Sequence, residues 1–339
     1  MLKATEEPLL DRYDLAMFDL DGVVYVGGDA LPGVAERLRR VRNADVHLAF
    51  VTNNASRTPE SVASRLNKLG IEAAPGDVVT SAQAAARVVK DRFGPTAAVL
   101  LLGGAGLESA LAAEGLAVTQ EPDEAAAIVS GYGPDVLWKD IMRAATLIRD
   151  GLPYVASNTD LTIPTDYGMA PGHGVLVRTL AEFAGVEPIV AGKPARPLME
   201  ETIRRVGGDR PLMVGDRLDT DIEGANAVAV DSLLVMTGVT QLAELVAATP
   251  ELRPSFISPD LEGLFEPHPV PDLDADGARL GGWQARITHG ALDVQGEGSA
   301  ADWWRVVAAA GWTALDTSGS VVDVTHLVPP VPAHVGERR

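Results

Sequence analysis

The chain of 339 residues contains no cysteine. That absence removes disulfides, thiolate nucleophiles and cysteine-based zinc sites together, and it leaves the compartment open. Positive charge is scarce as well: 28 basic residues stand against 47 acidic ones, for a net charge of −19. Such a balance repels phosphate backbones and anionic bilayers, which argues against a general nucleic-acid or membrane binder. It does not exclude a small phosphorylated substrate, because a bound cation and a few local donors reverse the sign inside a cleft. Long apolar runs are missing too. The most apolar stretch, Ala97 to Leu102, is far too short to span a bilayer. The N-terminus, MLKATEEPLLDRYDLAMF, has early acids and no apolar segment of signal-peptide length. A cytoplasmic protein is the expectation. No internal repeat recurs at a fixed period.

What is present is enough apolar material, 46% of the residues, to build real cores. The length suggests two or three domains. Short β-like runs alternate with longer helical patterns: strands at Leu15–Phe18, His47–Thr52, Val99–Leu102, Ala126–Val129, Tyr154–Ala156, Pro211–Val214 and Ser232–Met236. Helices are expected around Val34–Val41, over Pro59–Leu69 with a stop near Gly70, and near Asp221–Ala227. This alternation predicts an α/β fold with a mostly parallel, Rossmann-like sheet. Several strands end on reactive residues: Asp19, Thr52 and Asp216. Ligands of open parallel sheets bind beyond the carboxyl ends of the strands, so three distant segments point to one kind of place.

Four stretches carry chemistry. In FDLDGV, Asp19 and Asp21 flank Leu20 directly after an apolar run. A carboxylate is a poor nucleophile unless it is fixed and its target's charge is neutralised. Mg²⁺ does both by bridging a carboxylate and a phosphoryl oxygen. VTNNAS puts the hydroxyl of Thr52 and the amide of Asn53 after a buried strand. AGKPARP holds Lys193 between Gly192 and Pro194, a stiff frame for an ammonium that offsets phosphoryl charge. VGDRLDTDI places Asp216, Asp219 and Asp221 after another apolar run, and acids so close repel unless a cation is shared. Each stretch alone has a plainer reading as an acidic turn, a strand-to-helix turn, a solvated lysine or a helix cap.

In this order, Asp-x-Asp-Gly, Thr-Asn-Asn, Gly-Lys-Pro and Gly-Asp-x-x-x-Thr-Asp resemble the haloacid dehalogenase-like hydrolase superfamily over roughly residues 12–262. The similarity is closest to its p-nitrophenyl-phosphatase-like branch, which includes phosphoglycolate and glycerol-phosphate phosphatases. The resemblance implies Asp19 as nucleophile and Asp21 as general acid and base. It implies that Thr52 and Lys193 hold the phosphoryl group while Asn53 supports that substrate-binding loop. Mg²⁺ is expected on the Asp19 carboxylate, the Asp21 carbonyl and Asp216, with Asp221 behind them and Asp219 unassigned. An aspartate at position 21 favours phosphatase over dehalogenase or transport-ATPase chemistry, since an alkoxide must be protonated and water then activated.

The implied function is Mg²⁺-dependent hydrolysis of a small phosphorylated metabolite through an aspartyl-phosphate. Phosphoglycolate or glycerol 3-phosphate is favoured. Broad sugar- or nucleotide-phosphate hydrolysis, phosphoryl transfer to another alcohol, and a binding role for the C-terminal part remain alternatives. No nucleic acid or membrane partner is expected, and a homodimer is compatible with all of this. The expected organisation is a hydrolase core at 1–93 and 189–264, an inserted α/β cap at 94–188 and an extension at 272–339. SNTD (Ser157–Asp160) and PGHG (Pro171–Gly174) look like cap loops, with Asn158 and Asp160 as candidates for shaping the leaving-group site.

The remaining signals are weaker. LLGGAG (Leu101–Gly106) lacks a dinucleotide fingerprint and reads as a βα turn of the cap. The stretch PHPVPDLDADG reads as a solvated linker, because the calcium-loop position that needs glutamate is Trp283. Beyond it, a strand Trp283–Val294, a helix Ala301–Ala310 and a strand Val321–Leu327 are expected around four of the five tryptophans. The six histidines show no metal-ligand spacing.

Overall fold

A computed structural model describes residues 1–165, 167–274 and 277–330. The chain divides into two compact units, Met1–Leu48 with the residues from Gly208 onward, and Ala49–Gly207. No helix among the described residues is long and apolar enough to cross a membrane.

In the first unit, Leu15–Phe18, Pro211–Gly215, Asp231–Val235 and Phe256–Ser258 pair in parallel, in that spatial order. Their residues are mostly apolar, and all but Pro211 and Asp231 at the strand starts are buried, as strands covered on both faces require. The first strand has the predicted limits, and the second and third differ from prediction by one residue at the ends. His47–Thr52 begins in this unit, where His47 N–H donates to Asp14 O at 2.9 Å, and carries the chain into the second.

The second unit holds the end of this strand, which pairs in parallel from Phe50 to Thr52 with Val78–Thr80. It also has a separate five-stranded parallel sheet in the order Ile189–Val190, Tyr154–Ala156, Ala125–Ser130, Ala98–Leu102, Ala117–Val118. Helices Trp138–Arg149 and His173–Ala184 close one core against this sheet, around Leu102, Ile128, Ile148, Tyr154, Val177 and Leu180. LLGGAG is the expected turn, joining Ala98–Leu102 to the helix Ala105–Ala113.

The C-terminal part corrects the sequence reading in four places. DLD is an exposed edge strand, Asp272–Asp274, paired antiparallel with Gly277–Leu280; Ala275 and Asp276 of that motif lie outside the described residues. Its acids suit an edge, where charge discourages pairing with other chains. The single strand expected over Trp283–Val294 is a hairpin, Trp283–Thr288 and Ala291–Gly296. His289 (φ 54°) and Gly290 (φ 83°) make the two-residue turn, both in the left-handed region that such turns need. The helix runs far past Ala310, from Ala300 to Ser318. Gly311 inside it is no terminator: a Cβ there would lie 2.8 Å from Val246 Cβ, so the glycine admits a neighbouring helix. The stop is Gly319, at φ 71°. The expected strand Val321–Leu327 is a single bridge from Asp323 to Ala291, after which the Asp323 carboxylate accepts from Thr325 N–H and hydroxyl and turns the chain away.

The Ala300–Ser318 helix is buried all round from Trp303 to Trp312. One side meets Ala278, Ala285 and Leu292 of the antiparallel sheet; the other meets Leu245, Val246 and Ile257 of the parallel-sheet region. Trp312 Nε1 donates to Leu245 O at 2.7 Å, and Arg253 grips Asp316 with two bonds of 2.8 and 2.7 Å. The extension therefore shares one continuous core with the first unit.

Candidate active site

In the first unit, Asp19 N–H donates to Val214 O at 2.9 Å, which extends the sheet one step past Phe18 and fixes the start of the loop. The loop then closes on itself: Val24 and Tyr25 N–H both donate to Leu20 O, at 2.9 and 3.1 Å, and Gly22 N–H to Tyr25 O at 2.8 Å. Gly22 sits at φ 85°, and a Cβ on it would come within 2.3 Å of Asp216 Oδ2. Only glycine satisfies both conditions. Asp21 is exposed at the rim.

Asp216 follows the strand Pro211–Gly215 and has no accessible surface. It is wrapped by a segment that the sequence reading passed over, Thr237–Thr240 after the strand Asp231–Val235. Val239 N–H donates to Asp216 Oδ2 at 2.6 Å, Thr240 N–H to Asp216 O at 3.2 Å, and Thr237 Oγ1 to Gly22 O at 2.6 Å. A Cβ at Gly238 would lie 2.0 Å from Asp216 Oδ2, so this glycine marks the contact in retrospect. Asp221 is equally buried, in a π-helical turn Leu218–Ile222, where its Oδ2 accepts from Arg217 N–H at 3.1 Å. Asp219 points outward and pairs with the Arg217 guanidinium at 3.0 and 2.8 Å.

Carboxylate oxygens of Asp19, Asp216 and Asp221 lie within 4.8 Å of one another. Two unit charges about 4 Å apart repel by roughly 4 kcal/mol at an effective dielectric of about 20. Three acids at this spacing, two of them buried, fit a hard divalent cation, which binds through oxygen. The sequence reading named all three, with Asp221 in the supporting position.

The second unit gathers Thr52, Asn53 and Lys193. Thr52 closes its strand with Oγ1 accepting from Asn54 N–H at 3.1 Å. Lys193 is buried, and its ammonium donates to Val51 O at 3.4 Å. Asn53 holds the Lys193 main chain on both sides: Asn53 Oδ1 accepts from Lys193 N–H at 2.8 Å, and Asn53 Nδ2 donates to Lys193 O at 3.0 Å. The second Nδ2 proton goes to Asp160 Oδ1, also at 3.0 Å. Asn53's amide is thus fully engaged in placing the lysine. Gly192 lets the two loops meet, since its Cβ would lie 2.6 Å from Asn53 Oδ1. Asn158 Nδ2 and Ser81 Oγ both donate to Asn53 O, at 2.7 and 2.6 Å. Asn158 and Asp160, expected to shape a leaving-group site, both hydrogen-bond to Asn53 on this loop.

Comparison with known proteins places this geometry. A family profile described as haloacid dehalogenase-like hydrolase matches residues 16–117, and a second, described as HAD-hydrolase-like, matches residues 190–264. The chain is 41% identical over 295 residues to a D-glycerol 3-phosphate phosphatase of Mycobacterium tuberculosis, covering 87% of this chain and 82% of that one. It is 35% identical over 259 residues to an acid sugar phosphatase of Staphylococcus saprophyticus, covering 76% of this chain and 98% of that one. The crystal structure of a glycerol phosphate phosphatase from Mycobacterium tuberculosis in complex with magnesium superposes with a TM-score of 0.82 at 40% identity, over 91% of this chain and 92% of that one. With its motifs in order and its acids gathered at strand ends, the chain belongs to the haloacid dehalogenase-like hydrolases.

Proposed function

We propose that the protein is a Mg²⁺-dependent phosphatase of small phosphorylated metabolites, with glycerol 3-phosphate the favoured substrate and phosphoglycolate the next. The observation that carries this reading is the meeting of Asp19, Asp216 and Asp221 within 4.8 Å, beside Gly22, where any Cβ would strike Asp216. The names and the magnesium complex of the mycobacterial proteins support the substrate and the ion.

Asp19, Asp216 and the Asp21 carbonyl would hold Mg²⁺, with Asp221 steadying the Asp216 loop. When bound, the ion neutralises charge on the acids and on the phosphoryl oxygens. In the first half-reaction an Asp19 carboxylate oxygen forms a bond to phosphorus as the phosphorus–alkoxy bond breaks, and Asp21 gives its proton to the departing alcohol. In the second, Asp21 takes a proton from water, whose oxygen attacks phosphorus. The bond to Asp19 breaks and inorganic phosphate leaves. Thr52 and Lys193 receive the phosphoryl oxygens, and Asn53 orients Lys193. An exposed Asp21 suits a group that must exchange protons in both halves.

We retain as part of this proposal a core of 1–93 and 189–264 and a cap of 94–188. Four strands from Ala98 to Ala156 with their own apolar core support such a cap, and the sheet's edge strand Ile189–Val190 falls just past residue 188. A cytoplasmic location, free of nucleic acid and membrane, is in keeping with the acidic charge. The test is a panel of phosphorylated metabolites, with phosphate release measured in Mg²⁺ and in excess chelator. Glycerol 3-phosphate should lead the panel and lose turnover on chelation; a chelator-resistant release would overturn the reading.

A further inference from the structure

Behind Asn53 and Lys193 a second buried row crosses the same unit. Asn158, which donates to Asn53 O, offers its own main-chain carbonyl to His173 Nδ1 at 3.0 Å. His173 Nε2 lies 3.0 Å from Ser130 Oγ, which lies 2.8 Å from the Tyr154 hydroxyl. All four side chains are at most 5% exposed. The direction of each bond follows from one fact: a carbonyl only accepts. Nδ1 must therefore carry a proton. Burial pushes the His173 pKa down to about 4, so the ring is neutral near pH 7 and Nε2 is bare. Ser130 donates to it, and Tyr154 donates to Ser130. The row reads Tyr154, Ser130, His173, Asn158 carbonyl, and the Asn158 amide passes it to the main chain of Asn53.

The backbone is shaped for this reach. Gly172 and Gly174 flank His173, and a Cβ on either would come within 2.3 Å of Asp160 O or 2.0 Å of Thr159 O. Gly174 N–H donates to Asp160 O at 2.9 Å and Gly172 N–H to Leu161 O at 2.8 Å. The segment 172–174 is pressed onto 159–162, at the point where Asp160 receives Asn53 Nδ2.

We propose that His173 is a positioning residue for phosphate recognition: by holding Asn158 against the Asn53 carbonyl, it fixes the Asn53 amide and hence the Lys193 main chain. The inference rests on the reading that Lys193 receives the phosphoryl group.

Three variants separate its two ring nitrogens. His173→Asn keeps a donor near Nδ1 and loses Nε2; His173→Gln keeps a group near Nε2 and loses the donor to Asn158; His173→Leu loses both. Steady-state constants on glycerol 3-phosphate, inhibition by inorganic phosphate and thermal midpoints are measured together, with Lys193→Met beside them. KM and the phosphate inhibition constant should rise about 10- to 100-fold in Gln and Leu, the scale of a small misplacement of a binding group. Asn should stay near wild type even if its midpoint falls as far as Gln's. Should Asn and Gln alter the kinetic constants equally, or should both follow the midpoint alone, His173 is only a packing residue. Should Leu fail to fold, the Asn and Gln pair still decides. If Lys193→Met binds phosphate normally, the reading of Lys193 fails; if it weakens phosphate while Gln does not, only the positioning role fails.

Discussion

Asp19 and Asp21 are separated by one residue but differ in surroundings: one adjoins two buried acids and the other faces solvent. Asp19→Asn should therefore abolish turnover, by about 10⁴-fold or more on the scale of a lost nucleophile, with an unchanged thermal midpoint. Asp21→Asn should cost about 10²- to 10⁴-fold, the range of general acid–base assistance. Gly22→Ala should weaken Mg²⁺ binding, read by titration calorimetry, because its methyl group would displace Asp216. The buried histidines give a pH dependence. His173 and His268 have folded pKa values near 4, lowered chiefly by burial, against 6.5 when unfolded. Between pH 6.5 and 4 the unfolded chain binds more protons, so stability falls as pH falls, by up to about 1.4 kcal/mol per pH unit for each histidine. His268→Gln should flatten that slope in urea titrations at pH 7 and 5; an unchanged slope would contradict it. At this scale the sequence pointed to Asp19, Asp216 and Asp221, which the structure gathers within 4.8 Å, and it did so through four motifs in order, since each stretch alone reads as a turn or a cap. Asn53's grip on both sides of Lys193 spans 140 residues of chain, and no local pattern encodes such a distance.

Elements explain where prediction succeeded and where it stopped. Strands buried on both faces betray themselves as short unbroken apolar runs, so His47–Thr52 and Tyr154–Ala156 match residue for residue. The C-terminal hairpin was missed because its turn, His289-Gly290, lacks the usual Asn or Asp signal. The Ala300–Ser318 helix was cut short at a glycine whose purpose is contact with Val246, a tertiary fact. That helix predicts its own energetics. Trp312→Ala should cost about 3–5 kcal/mol in denaturant unfolding while leaving KM unchanged, since the indole fills a core and donates to Leu245 O.

For the whole molecule, the shared core means that the extension is not a detachable appendage. A chain ending before Asp272 would expose Leu245, Val246 and Ile257, and should lose cooperative unfolding and aggregate. The acid sugar phosphatase of Staphylococcus saprophyticus matches over 98% of its length while covering 76% of this chain, so related enzymes manage with less. The added segment is integral to stability here. The catalytic account nevertheless depends on one covalent bond. The most direct measurement is an acid quench of the enzyme during turnover of ³²P-labelled glycerol 3-phosphate with Mg²⁺, followed by peptide mapping. The account predicts a hydroxylamine-sensitive label on the peptide carrying Asp19, absent from Asp19→Asn. Turnover that leaves no label, or leaves it on another residue, would contradict it.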